Sequence, residues 1–497
     1  MSGALAAALG AVGAVVAFLG SWNVSLWTDE AATISAARRT LPELFALVSH
    51  HDAVHALYYL FIHVWSGVFG YSEVALRIPS ALATGGAVVG VYVLAVAVGR
   101  ADVAVEAAII AIVLPRITWM GIEARSFGLS ATIAVWATVL LVTALRSGRW
   151  RWPVYGVLVA LGIAINIYVA LLVVAHLATV LLTRTRWRVR LLWLAAAAAG
   201  TLAASPVVLE AASQKGQLGD NALSLATMAR QALINQWFLG ATPTPVTQSD
   251  QGTSAWAVAA VVMAVIGWVL VVAGVLRALR EPGARPGVAA TLPWILLPTL
   301  IAIGYSAAVS PLYNSRYFTF AAPAVALAIA LGLRAIPWEI GRITALVAIA
   351  GLSVPIYVSQ RQTTGKSDAD WSQVAGFVGA RAKAGEGVYF SPLEPTADTA
   401  IGRTTRYIDT AYPSAFDGLV DVTLRTTGAQ DATLRGTSYP LASSTSRLDG
   451  LSAVWVIRPS DYPASGADAD DALLEKAGFR ASTTWRGPSD SVVEFVR

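Results

Sequence analysis

No cysteine occurs in the 497 residues, so disulfides and thiolate metal sites are excluded, and the compartment stays open on that count. Charge is also scarce. Asp, Glu, Lys and Arg make up 13% of the chain, against about 25% in an ordinary soluble domain. That deficit, with a mean hydropathy of +0.61, excludes a soluble globular protein and places the chain in a bilayer. Neither an internal repeat nor a low-complexity tail is visible. The net charge of +5 does not point to nucleic acid, because the arginines lie mainly in short loops between apolar runs, where membrane topology accounts for them.

What is present is apolar sequence in continuous blocks. Each is long enough for an α-helix to cross about 30 Å of hydrocarbon, and none alternates as a barrel strand would. Candidate spans cover 3–20, 74–99, 102–120, 127–145, 152–167, 168–183, 190–209, 255–277, 288–309, 317–334 and 341–358. The run Leu5–Leu19 is read as the first of them rather than as a signal peptide, because it has no basic leader and no A-x-A site after it. With a cytoplasmic N-terminus, alternate loops carry Arg100; Arg146, Arg149 and Arg151; Arg184, Arg186, Arg188 and Arg190; Arg277, Arg280 and Arg285; and Arg334 with Arg342. That excess is the positive-inside signature. Keeping Arg146–Arg151 and Arg184–Arg190 on one side requires the apolar stretch 152–183 to break at Asn166–Tyr168. The expected architecture is therefore an α-helical polytopic membrane domain of about eleven transmembrane helices over 1–358. Residues 359–497 follow as a soluble extracytoplasmic domain, in a multi-pass protein of the inner (plasma) membrane. In that domain, strand-like runs at Gly387–Phe390, Ala453–Ile457 and Ser491–Phe495 alternate with helix-like runs at Asp370–Arg381 and Asp468–Ala477, which predicts a small α/β fold.

Two long external loops, 21–77 and 210–254, hold the chemistry. The first opens on Trp27-Thr-Asp29-Glu30. It continues through the amphipathic segment Leu41–Val48, the cluster His50-His51-Asp52-Ala-Val-His55, and the aromatic run Leu57–Trp65. Segments of this kind lie in the membrane interface rather than across it. A carboxylate at such a helix mouth serves as a general base or metal ligand, and the alternative is a solvated pair that helps set topology. His50, His51, Asp52 and His55 could hold a metal with Asp29, and His51 and His55 would share a helical face. Without cysteine or a second acidic cluster, they read equally as hydrogen-bond donors to a sugar or phosphate, or as simple interfacial residues. Glu123-Ala-Arg125 and Arg316-Tyr317 sit in two further external loops, where positive-inside topology does not explain arginines. Arginine is the preferred phosphate partner, and the alternative is a salt bridge from Glu123 to one of these arginines. Arg38, Arg39 and Arg77 read as interfacial anchors.

These residues resemble the GT-C glycosyltransferases, and within them the protein O-mannosyltransferase and aminoarabinose transferase branch. Trp27-Thr-Asp29-Glu30-Ala31 is similar to the family's acidic signature. His55-Ala-Leu-Tyr58-Tyr-Leu60, Leu76-Arg77-Ile-Pro79-Ser-Ala-Leu82, Glu123-Ala-Arg125-Ser-Phe127 and Arg316-Tyr317 follow in the family's order, over about the first 335 residues. The chain departs from the pattern at Ala56, where prolines are common, and at Phe127, where a tyrosine is usual. The resemblance implies a polyprenyl-phosphate donor carrying one sugar and a reaction on the outer membrane face, with an envelope glycan, glycolipid or protein as acceptor. It implies Asp29 as the base, with Glu30 grouped beside it in the catalytic set, and Glu30 and Glu123 orienting their neighbours. Arg125 and Arg316 would bind the donor phosphate, and His55, Tyr58, Glu123 and Tyr317 would position substrate. No metal site or other cofactor is expected, and a divalent cation is not indicated. The Ala/Arg-rich composition fits a high-GC bacterium, an actinobacterium with mannans and arabinans in its envelope, so mannose is the expected sugar.

Two rivals belong to other classes. A lipid or sugar transporter would carry midplane charges or repeated halves, whereas here charge gathers at one face. A non-catalytic envelope scaffold would not need acidic residues and arginines converging from three loops.

Overall fold

The computed structural model describes residues 3–146, 148, 150–183, 185–214, 222–243, 254–392 and 404–497. Arg149, Arg184 and much of the expected loop 210–254 lie outside the described residues.

The chain is a multi-pass helical membrane protein whose described helices end in a small α/β unit. Among the described residues, seven helices are long and apolar enough to cross a bilayer, and Trp187–Ala203 with Ser205–Ser213 makes an eighth if that pair, bent by 48°, is one span. Several expected spans are shorter or broken, each for a local reason. Residues 102–120 are not one helix. Leu114 is extended and Pro115 opens a new helix to Met120, because proline has no N–H to continue the ladder and pushes the preceding residue out of the helical region. The span expected at 317–334 starts as a 3₁₀ segment, Ser315–Ala321. The break expected at Asn166–Tyr168 is present: helix Arg151–Ile165 ends there and Ala170–Leu182 begins. The Asn166 side chain accepts from the Tyr168 N–H at 3.1 Å. The two arms fold back on each other, since Tyr155 Oη lies 2.9 Å from His176 Nδ1. On one straight helix those residues would be about 30 Å apart at 1.5 Å per residue.

Small residues bring the bundle together where the site forms. A Cβ at Gly85 would sit 2.6 Å from the Gly10 carbonyl oxygen, so only glycine lets helix Glu73–Ala97 approach helix Gly3–Phe18 this closely. The residues after the first helix are thereby laid over Arg77. The stretch 21–77 is folded rather than a loose loop, with helices Thr28–Ala37, Leu41–Val48 and Ala56–Phe69.

After Gln360 the chain builds a five-stranded sheet in the order Val420–Asp421, Gly387–Phe390, Ala453–Pro459, Asp490–Val496, Arg480–Arg486. The first three strands are parallel and the last two antiparallel to their neighbours. The three expected strands are in it, and the two expected helices are present as Trp371–Gly379 and Ala464–Lys476. Arg480–Arg486 escaped the sequence reading because its side chains are mostly exposed and polar, as suits an edge strand. One hydrophobic core joins this unit to the segment 21–77. Leu26, Ala31, Ile34, Tyr59 and Leu76 pack in a single cluster with Trp371, Val374, Phe390 and Tyr407.

Candidate active site

The site begins at the first turn of helix Thr28–Ala37, where Asp29 and Glu30 stand at the positive end of the helix dipole. Adjacent in sequence, the two carboxylates point to different surroundings. Glu30 is fully buried. Arg77 grips it with Nε donating to Oε1 at 3.0 Å and Nη2 to Oε2 at 2.7 Å, and Lys366 Nζ lies 2.7 Å from Oε1. The Ala124 N–H donates to the same oxygen at 2.8 Å. Burial alone would raise this carboxyl, but Arg77 and Lys366 outweigh it and hold it well below the usual range.

Glu123 joins the cluster. Its Oε2 accepts from the Trp27 indole N–H at 3.1 Å, and its Oε1 is 3.3 Å from Lys366 Nζ. Burial, reinforced by the charge of Glu30, holds the Glu123 carboxyl above the usual range despite Lys366. Lys366 also donates to the Ile122 carbonyl at 2.8 Å. Two buried anions thus face two buried cations, and the turn 122–125 is tied to the helix that carries Asp29. A third tie is Thr33 Oγ1 donating to the Ala124 carbonyl at 3.1 Å.

Asp29 faces outward. Its Oδ2 is 2.9 Å from Arg316 Nη1 and 4.0 Å from Arg125 Nε. The side chains of Asp29 and Arg316 keep 16% and 24% of their surface exposed, so a substrate can reach them, whereas Glu30 is closed off. Burial works to raise the Asp29 carboxyl, but the guanidinium of Arg316 and then that of Arg125 prevail and keep it ionised, below the usual carboxylate range. Arg316 is aimed by the Asn314 side chain, which accepts from its backbone N–H at 3.3 Å. It lies over the Trp27 ring at 5.3 Å and near the Tyr317 ring at 5.5 Å, a cation–π cradle. Tyr317 stacks on Tyr168 at 4.9 Å.

Arg125 donates to the Asp29 carbonyl and to Tyr59 Oη, each at 3.2 Å, and its Nη2 is 2.6 Å from His55 Nε2. Burial and then the Arg125 charge push His55 down to about 4, so at neutral pH its uncharged ring accepts from the guanidinium. At the outward face two guanidiniums converge on the Asp29 carboxylate, and a second carboxylate, Asp52, is held one step away by the Tyr59 hydroxyl. Arg125 Nε and Arg316 Nε are buried without a hydrogen-bond partner. Such an arrangement has room for one anionic group.

The residues singled out from sequence therefore separate. Asp29, Arg125, Arg316, His55 and Tyr317 converge on one face. Glu30, grouped with Asp29 as catalytic, is enclosed in an ion-pair cluster and cannot meet a substrate. Glu123 pairs with Lys366, not with an arginine. Tyr58 is buried in the core beneath, because one residue's step along a helix turns the side chain by about 100°. Its neighbour Tyr59 reaches Arg125 instead. Arg77 is no interfacial anchor but the fully buried partner of Glu30. The histidine cluster disperses: the rings of His50 and His63 lie against the Ala46 and Ala37 carbonyls. Among the described residues, no three His, Asp or Glu side chains gather as metal ligands.

Sequence reasoning missed Lys366. It is one of four lysines and lies just past the last span, and its rarity in an arginine-rich chain is the only signal it gives. Arg361 was missed too, and its guanidinium staples the Leu19, Ala17 and Thr118 carbonyls at 3.0–3.2 Å.

Residues 55–209 match the family described as dolichyl-phosphate-mannose-protein mannosyltransferase. The match includes His55, Glu123 and Arg125 and leaves out Asp29 and Arg316. A search of curated proteins finds no match. Among solved structures, the chain is similar to ArnT from Cupriavidus metallidurans bound to undecaprenyl phosphate, with a TM-score of 0.57, 12% identity, and 99% and 98% of the two chains covered. It is also similar to the oligosaccharyltransferase AglB from Archaeoglobus fulgidus, in complex with an inhibitory peptide and a dolichol-phosphate. That TM-score is 0.51 at 13% identity, over 97% of this chain and 73% of the other. At these identities the likeness is one of fold, over nearly the whole chain.

Proposed function

We propose that this chain, a member of the GT-C superfamily of polyprenyl-phosphate-dependent glycosyltransferases, moves a single sugar from a polyprenyl-phosphate donor to a hydroxyl acceptor on the outer face of the membrane. The observation that carries the reading is the outward face itself, where the Asp29 carboxylate is held between Arg316 and Arg125 and both guanidiniums keep an Nε without a hydrogen-bond partner. The donor phosphate takes up those donors. As Arg316 and Arg125 turn to it, the Asp29 carboxylate is released from its ion pair and becomes more basic where a base is needed.

Asp29 takes the proton of the acceptor hydroxyl, and the oxygen attacks the anomeric carbon. The bond from that carbon to the phosphate oxygen breaks, and its electron pair leaves with the polyprenyl phosphate. The arginines stabilise the charge that develops there. A single displacement of this kind inverts the anomeric centre, turning a β-linked donor into an α-linked product. Mannose is the proposed sugar, supported by the similarity of residues 55–209 to the dolichyl-phosphate-mannose-protein mannosyltransferase family.

Arg316→Ala is expected to weaken binding of undecaprenyl phosphate about tenfold to a hundredfold, the worth of a charged hydrogen bond. Arg316→Lys is expected to recover only part, because an ammonium cannot reproduce the fork. Titration of the purified protein with labelled undecaprenyl phosphate checks both, and unchanged binding in Arg316→Ala removes the phosphate role.

Sidedness is tested separately. The arginine distribution implies that a reporter active only outside the cytoplasm works when fused after Arg497. A reporter active only in the cytoplasm at that position would put the site on the wrong face for this reaction.

A further inference from the structure

Helix Thr28–Ala37 carries Asp29 at one end, and at its other end it forms a wall of a second cavity. That cavity, about 340 Å³ in volume, lies between the segment Ser35–Glu43 and the C-terminal unit. From Asp29 to Ser35 is six helical residues, about 9 Å at 1.5 Å per residue, so one short rigid rod links it to the base. On the membrane-side wall, Arg39 is 5% exposed, and its Nη1 is buried without a hydrogen-bond partner. Beside it Arg38 is exposed, with its guanidinium over the Tyr71 ring at 4.9 Å. On the opposite wall, Arg406 donates to Asp421 at 2.8 Å, and Asp409, Thr410 and Arg435 also line the cleft. Four guanidiniums, three carboxylates and the hydroxyls of Ser35, Thr410 and Thr427 thus share one small space.

We infer that this cleft binds the acceptor, and that the acceptor is a saccharide chain. A sugar hydroxyl both donates and accepts, so a ring carrying several of them satisfies carboxylates and guanidiniums standing side by side. A polyanion would be repelled by Asp409, Asp421 and Glu43, and an apolar chain would desolvate the charged lining and offer it no hydrogen bond in return. The inference rests on the transferase reading above and names its acceptor class. The C-terminal unit then has a task in the reaction: it supplies one wall of the cleft that holds the acceptor chain beside the base.

The test uses the full chain in lipid nanodiscs with two probes, an α-linked mannotriose and an arabinotriose, followed by saturation-transfer NMR. Ala429 is exposed and lines the cleft, so Ala429→Trp fills the space while every charged side chain of the cleft stays in place. At least one trisaccharide is expected to bind the wild type, with binding weakened tenfold or more by Ala429→Trp and several-fold by Asp409→Asn. Undecaprenyl phosphate binding and the melting temperature are expected to stay unchanged in both variants. If neither trisaccharide binds, or if binding survives Ala429→Trp, the inference is overturned. A Ser/Thr-rich peptide that binds in their place and is displaced by Ala429→Trp overturns it in favour of a protein acceptor. Failure of the wild type to bind undecaprenyl phosphate is a separate result, and it would sink the transferase reading instead.

Discussion

Asp29→Asn is expected to lower single-turnover sugar transfer roughly 10²- to 10⁴-fold, the usual worth of general base catalysis. At about 1.4 kcal/mol per decade this is roughly 3–5 kcal/mol of barrier. The change keeps size and hydrogen bonding and removes only the basic carboxylate. Donor binding should hold or tighten. Arg316, 2.9 Å from Asp29, and Arg125 are left without their counter-ion and have only the phosphate to meet. Transfer and binding therefore move in different directions, which general misfolding cannot imitate. Near-normal transfer in Asp29→Asn would remove the base assignment altogether. Glu30 offers no fallback, since its side chain has no exposed surface and both its oxygens are engaged.

Lys366→Met is expected to destabilise the protein by about 3–5 kcal/mol, the cost of stranding a buried charge. The methionine matches the lysine stem in length, so the loss is one of charge rather than volume. Glu30 and Glu123 would then share Arg77 alone. Glu123 already holds its proton above the usual range because burial disfavours the anion, and losing Lys366 pushes it further. A carboxyl raised on folding binds more protons folded than unfolded, so stability falls as pH rises from the unfolded value through the folded one. The defect of Lys366→Met should accordingly deepen from pH 5 to pH 8, and Glu123→Gln added to it should restore much of the loss. Melting curves of the wild type, Lys366→Met and the double variant at both pH values check this. A melting temperature unchanged at pH 8 would mean that Lys366 carries none of the load. Transfer should fall as well, because Lys366 fixes the turn that presents Arg125.

Asp29, Arg125 and Arg316 could be selected from sequence because each breaks a local rule: a carboxylate after a membrane helix, and arginines on the face where topology does not place them. Their partners could not. Glu30 has the same residue type and nearly the same position as Asp29, and helical geometry alone sends it to the opposite side. Tyr58 and Tyr59 differ in the same way. Lys366 lies 336 residues from Glu30, and no spacing rule reaches that far. The break at Asn166 was legible because charge on both flanks demanded it. The break at Leu114–Pro115 was not, because an apolar run hides one extended residue.

By itself, then, the sequence determined that the chain is a multi-pass membrane protein, that a small α/β unit follows the last span, and which few residues are candidates for the chemistry. These are matters of composition, run length and local charge, and they do not depend on which segments meet. Tertiary structure alone decided which carboxylate is reachable and which is locked in an ion-pair cluster. It also decided that the C-terminal unit shares a core with the segment behind Asp29 and adds Lys366 to its supports. The reason is that burial and long-range charge pairing follow from packing between segments hundreds of residues apart, and a one-dimensional pattern carries no record of those distances.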